Sequence, residues 1–169
     1  MMQWKSVFSY RVYEICQAKI SFDDAQHDKA HKPRNTEYEF IYDVGELKLL
    51  LGVLNINTDK IAQKEIAGVK NPDYNKIAED MVLRSNSGMS YYAAFKRYTL
   101  DKAEAEINSH PDSEFDVHFE PIRRGRGGKV SSIRMTVRRR VHRGEEVVNA
   151  LSEDAKLEFA DELREILPQ

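Results

Sequence analysis

The sequence predicts an α+β fold, a winged helix, with one further helix at its C-terminal end. Three observations predict it. Residues 90–108 carry the apolar spacing of a helix. Residues 115–137, directly after it, alternate as the two strands of a hairpin. The hairpin is basic and Gly-rich at its tip: Ile122 to Arg143 holds nine Arg or Lys (Arg123, Arg124, Arg126, Lys129, Arg134, Arg138, Arg139, Arg140, Arg143) and no Asp or Glu. Helix then basic hairpin is the order of a winged helix, and it points at nucleic acid.

The elements follow in order. Residues 6–20 read as a helix, with Phe8, Val12, Ile15 and Cys16 sharing a face and Tyr13 and Ile20 beside it. Residues 21–36 are polar and read as a loop. Residues 37–42 alternate, with Tyr38, Phe40 and Tyr42 on one side of a short strand. Asp43 and Glu46 resemble a capping box. Leu47, Leu50 and Leu51 then give the buried face of a short helix, and Gly52 its stop. Residues 59–67 and 73–83 are helix-compatible, separated by Gly68 and Pro72.

Ser90 can cap the next helix, whose stripe is Tyr92, Phe95, Thr99, Ala103 and Ile107. Residues 109–112 break it. Phe115, Val117 and Phe119 face inward on the outgoing strand, and Val130, Ile133, Met135 and Val137 belong to the return strand, with Ile133 the better guide to its phase. Pro121 ends the outgoing strand, where a missing N–H does least harm. Ser152 caps a last helix with Ala155, Phe159, Leu163 and Ile166 as its stripe. The expected domains are a winged-helix DNA-binding domain over 1–143, with an inserted segment at 55–88, and an acidic helical tail over 144–169.

Composition bounds the partners. The chain has 169 residues, 41% hydrophobic and 32% charged, with a net charge of −2, values ordinary for a soluble globular protein. The small total hides an asymmetry, because residues 144–169 carry eight acids against Lys156 and Arg164. A phosphate backbone responds to the local field and not to the sum. Cys16 is the only cysteine, so no intramolecular disulfide or Cys-based zinc site can form. No apolar run is long enough to cross a bilayer and no signal peptide is evident, so the expected compartment is the cytoplasm.

Four blocks resemble the iteron-binding plasmid replication initiators (the Rep_3, or RepB-type, family). Ser9-Tyr10-Arg11-Val12-Tyr13-Glu14-Ile15 resembles the family's Tyr-x-Arg-Leu-Tyr-Glu-Leu helix. Residues 43–53 are similar to its Glu-Leu-Arg-x-x-Leu-Gly-Ile helix. Residues 92–108 resemble Tyr-x-x-Phe-Lys-Arg-x-Val-Leu-x-x-Ala-x-x-Glu-Ile-Asn, and residues 125–137 resemble the wing Gly-Arg-Lys-Val-x-x-Ile-x-Phe-x-Val. No block is specific alone; the ordered set is. Family initiators usually carry two winged-helix domains, one for dimer contacts and one for iteron DNA, and these blocks resemble the second. Residues 55–88 look longer than the family's connector.

The resemblance implies sequence-specific binding of double-stranded DNA at origin repeats, the recruitment of host replication proteins such as a helicase loader, and no catalysis or cofactor. It leaves a homodimer open. The expected DNA-binding residues are Ser90, Tyr91, Ala94, Arg97 and Tyr98 on the helix, and Arg123, Arg124, Arg126, Lys129 and Arg138 on the hairpin. Small Ser90 and Ala94 allow close approach, and Arg97 suits a bidentate contact to guanine. Arginines around Gly125, Gly127 and Gly128 suit a backbone or a narrow minor groove. Arg134 is expected on the exposed face of the return strand.

Other readings stay open on sequence alone. The basic run could be a solvated face that neutralises the acidic tail, and Tyr91 and Tyr98 could cover the core's edge. A winged-helix transcriptional regulator or autorepressor, or a protein-interaction module, would show the same pattern. His27 and His31 have helical ligand spacing but read as a solvated loop, so no metal is expected. No phosphate-binding Gly-x-x-x-x-Gly-Lys-Ser/Thr motif and no His-hydrophobic-His metal pair occurs, which argues against an ATPase or a rolling-circle nuclease.

Overall fold

The computed structural model describes residues 2–85, 89 and 91–140. Chain contacts divide at Arg139/Arg140, and Met1–Arg139 is one compact unit. The acidic tail with its Ser152 cap, together with His142, Arg143 and Ser90, lies outside the described residues.

Helix α1 runs Val7–Lys29, and the Ser6 hydroxyl caps it by accepting from the Phe8 amide at 3.2 Å. Val12, Tyr13, Cys16 and Ile20 are buried on one face, as their spacing predicts. The loop expected from residue 21 is instead helical to Lys29. These last turns have no apolar face, and Phe22 is 68% exposed. Polar ties hold them: Asp24 accepts from Arg139 at 2.9 Å and from the Tyr38 hydroxyl at 3.0 Å, and Asp28 pairs with Arg34 at 2.6 Å. His31 then turns the chain with a φ of 52°.

Strand β1, Glu37–Asp43, buries Tyr38 and Tyr42 and half-buries Phe40, as its alternation predicts. In helix α2, Val44–Leu50, the Asp43 side of the expected capping box does not form. The Asp43 side chain makes no bond to the helix and accepts from the Ser132 hydroxyl at 3.3 Å. The buried stripe is Val44, Leu47, Lys48 and Leu51, whereas Leu50 is 45% exposed. Positions 44, 47, 48 and 51 share a helix face, and position 50 lies off it. Gly52 ends the helix at a φ of +72°, and a Cβ there would meet the Arg11 guanidinium.

Residues 55–85, most of the segment expected to be an insertion, form a short 3-10 turn, Ile56–Thr58, and the two expected helices, α3 (Lys60–Ile66) and α4 (Tyr74–Ser85). Leu54, Ala62, Ile77, Ala78 and Met81 form a small core of their own.

The next helix has three parts: α5 (Tyr92–Phe95), a π-helical turn (Lys96–Leu100) and α6 (Asp101–Ser109). The backbone stays helical through both junctions. Its N-cap is Tyr91 and not Ser90, and the cap makes no side-chain bond. Of the expected stripe, Phe95, Thr99, Ala103 and Ile107 are fully buried, Tyr92 is partly buried against the core, and Leu100 joins them. Neighbours 99 and 100 can both face inward because a π turn holds an extra residue.

Strands β2 (Phe115–Arg123) and β3 (Val130–Arg139) complete an antiparallel sheet of order β1-β3-β2. Its inner face buries Phe115, Val117, Phe119, Ile133, Met135 and Val137 against α1 and α6. The register passes from Ile122↔Ser132 to Arg123↔Val130, leaving Ser131 as a bulge. The bulge resets the phase, so Val130 and Ile133 both face the core. Pro121 lies on edge strand β2, where no neighbour needs its N–H.

Three side chains of α6 tie the helix to the rest; Glu104 accepts from the Phe119 amide at 3.1 Å. Asn108 bonds both the carbonyl and the amide of Val117 at 2.8 Å. The Glu106 carboxylate accepts from the Lys5 amide, from the Ser6 amide at 3.2 Å and from the Ser9 hydroxyl at 2.5 Å. Helix, strand, helices, strand, basic loop, strand is the element order of a winged helix, with 124–129 as the tip of the wing.

Candidate nucleic-acid interface

The start of the α5–α6 helix presents a ridge of aromatic and cationic side chains. Tyr91 is 78% exposed and Tyr98 47%, so neither is a core cover. The Arg97 guanidinium lies 5.6 Å from the centre of the Tyr98 ring, and the Lys102 ammonium lies 5.7 Å from it. Both cations are exposed. A ring between two cations gives a rigid, amphipathic contact surface. Lys96 is engaged instead with Asp101 at 2.6 Å, and this hydrogen bond raises its pKa above the usual lysine value.

Ala94 is half-buried, and Ala93 is the exposed small residue of that turn. The expected role of Ala94 as an outward-facing residue therefore shifts by one position. Lys102 was missed, although its place four residues after Tyr98 puts it on the same face.

The wing tip folds tightly. Gly125 and Gly127 take φ values of 71° and 69°, conformations that cost other residues dearly. A Cβ on Gly128 would lie 1.5 Å from the Arg124 carbonyl. Arg123 donates to the Gly128 carbonyl at 3.1 Å, so it closes the hairpin. Arg124 and Arg126 are exposed and have no ion-pair partner among the described residues.

From Lys129 to Arg139 the basic side chains of the run are engaged. Lys129 pairs with Glu79 of α4. Arg134, on the outer face of β3 as expected, pairs with Glu39 at 3.1 Å and Glu120 at 3.4 Å. Arg138 pairs with Glu37 at 2.9 Å. Arg139 reaches Asp24 at 2.9 Å and the Tyr38 hydroxyl at 2.8 Å. The β1 and α1 carboxylates thus neutralise the end of the run, and the free charge concentrates at the tip and on the helix.

Beneath the helix start, buried Lys48 donates to the Met89 carbonyl at 2.6 Å and lies 5.5 Å from the centre of the Phe95 ring. Burial, with Lys129 nearby, holds its pKa below the usual lysine value. It braces the chain that leads into α5.

Among the described residues no group of three or more His, Cys, Asp or Glu could hold a metal ion. His27 lies in the last turn of α1, 3.6 Å from Asp23, and its ring bonds the Pro33 carbonyl at 2.6 Å. Among the described residues no helix is long and apolar enough to cross a membrane.

Residues 64–137 match the family model described as "Initiator Rep protein, WH2". The matched stretch takes in α4, the α5–α6 helix and the wing. No curated protein and no solved structure matches the chain.

Proposed function

We propose, from the premise that residues 64–137 belong to the WH2 winged-helix family of initiator Rep proteins, that this chain binds repeated double-stranded sites at a plasmid origin and thereby starts replication. The role is non-catalytic: it marks the origin, and host replication proteins such as a helicase loader assemble there. The α5–α6 helix enters the major groove with Tyr91, Arg97, Tyr98 and Lys102 toward the DNA. The wing lays Arg124 and Arg126 along the adjacent backbone or minor groove. Arg123 acts by closing the tip, and Arg138 contributes only if DNA draws it from Glu37.

One observation carries this reading. Exposed Arg124 and Arg126 at the wing tip have no carboxylate partner among the described residues, whereas Arg134, Arg138 and Arg139 of β3 pair with carboxylates.

The test is a gel shift against origin repeats and random duplex over a range of salt. Arg124→Ala with Arg126→Ala should weaken binding to every sequence. It should also flatten the plot of log K against log salt by about 0.9 per lost phosphate contact, about 1.8 for both. An unchanged slope rejects the wing as an anchor.

A further inference from the structure

Helix α4 lies within the stretch matched by the family model, and it touches the wing. We propose that Asn75 is a positioning residue for the wing: from α4 it fixes the direction in which the Arg124–Arg126 tip leaves the sheet. The inference rests on the reading of the wing as a DNA anchor.

Three observations meet at this side chain. The Asn75 amide nitrogen donates to the Ser131 carbonyl at 2.8 Å, and its oxygen accepts from the Gly45 amide at 2.8 Å. Ser131 is the bulge residue and has no partner in the register with β1 or β2. A bulge bends its strand, so whatever holds the bulge sets the angle of the hairpin beyond it. Asn75 therefore ties that bend to the N-terminus of α2, a fixed part of the core.

The local fold brings α4 close enough. A Cβ on Gly45 would sit 2.1 Å from the Tyr74 carbonyl oxygen, so only glycine admits this approach. One helical turn along, Glu79 pairs with Lys129 at the wing's return. Beside these two ties lies a cleft of about 360 Å³, lined by Val44, Ala78, Val82, Tyr92 and Val130 among others. Apolar packing does not close this junction, which leaves the polar ties to set its geometry.

Asn75→Asp keeps the acceptor for Gly45 and loses the donor to Ser131. Binding of a labelled random-sequence duplex is measured for the full chain, for Asn75→Asp, for Arg124→Ala/Arg126→Ala and for the triple variant, with thermal melts alongside. Asn75→Asp should weaken binding about fivefold in the parent. In the wing-deficient background it should weaken it by less than about twofold, the usual error of additivity. Equal losses in both backgrounds, or no loss in the parent, overturn the proposal. Asn75→Ala replaces Asn75→Asp should the latter fail to fold.

A second measurement separates the two readings. If the wing variant itself leaves affinity and salt slope unchanged, the anchoring role fails, and wing direction is then read directly. Spin labels at Arg126→Cys and at exposed Leu83→Cys report the distance from tip to α4, and buried Cys16 stays unlabelled. Asn75→Asp should broaden or shift that distance distribution. An unchanged distribution overturns the positioning role, whatever the wing does.

Discussion

Replacing Gly45 with alanine sets two principles against each other. Helix propensity favours the change by up to about 1 kcal/mol, because glycine is a poor helix former. Packing opposes it. The new Cβ would lie 2.1 Å from the Tyr74 carbonyl oxygen, 2.6 Å from its carbon and 2.9 Å from the Asn75 Cα, all of them backbone atoms that cannot rotate away. Helices α2 and α4 must part by roughly 1 Å, enough to forfeit a quarter to a half of each affected contact. Overpacking of this kind costs about 1–3 kcal/mol. The Gly45–Asn75 hydrogen bond, 2.8 Å long, adds about 1 kcal/mol when it is lost. With the propensity gain set against these, the net is a loss of about 2 kcal/mol. Urea unfolding followed by circular dichroism reads it as a lower midpoint with little change in slope. Gly68→Ala is the control: nothing lies within 4 Å of its Cβ, but its φ is +76°, so the loss should be about 1 kcal/mol from backbone strain alone. A Gly45→Ala protein as stable as the parent, or more so, would refute the packing argument.

Three further outcomes are expected. Glu106→Ala should cost about 2–3 kcal/mol, since charge-assisted hydrogen bonds at the start of α1 disappear together; a loss below about 0.5 kcal/mol in the same urea assay would show that the carboxylate is not an anchor. Arg97→Ala should weaken binding to origin repeats by about 1–3 kcal/mol more than binding to random duplex, and equal losses in a competition gel shift would reassign Arg97 to phosphate. The Asp59 carboxylate accepts from the Ala62 and Ile61 amides and from Arg84, and these bonds hold its pKa below the ordinary carboxylate value. Its stabilising effect is therefore complete above the unfolded value of about 4 and is lost as pH falls through the lower folded value; Asp59→Asn should flatten melting temperature against pH in that acid window, and a curve parallel to the parent's would refute the assignment.

Periodicity made the core legible. The Phe95, Thr99, Ala103, Ile107 stripe and the alternation in β1, β2 and β3 depend on burial of one face, which is written into spacing. The end of α1 was not legible, because residues 21–29 bury no apolar face and are held by polar ties to Arg34, Tyr38 and Arg139. Such ties leave no period. Lys48 hid the true stripe of α2, since a lysine at a buried position reads as a surface residue until the Met89 carbonyl and the Phe95 ring are seen to receive it. The site was half legible. Charge counting found the wing but could not separate its tip from its base, because Glu37, Glu39 and Asp24 meet their arginines only across the sheet. The acids at 37 and 39 do share a strand face, and a cross-strand match to alternate arginines was the signal available.

The π-helical turn at Lys96–Leu100 has a consequence for how this protein can change. The extra residue acts as a phase break, like a spacer between two gears on one shaft. Ahead of it, Tyr91 and Ala93 are exposed; behind it, Ala103 and Ile107 are buried in the core. The two can then drift separately. Removing one residue from the turn would restore α-helical pairing and leave both halves close to their present orientation, because the wide turn already absorbs the extra residue; the same deletion within α6 would instead rotate everything ahead of it by about 100°. The turn is therefore a place where the helix can lose a residue with the exposed leading half and the buried stripe both left in register.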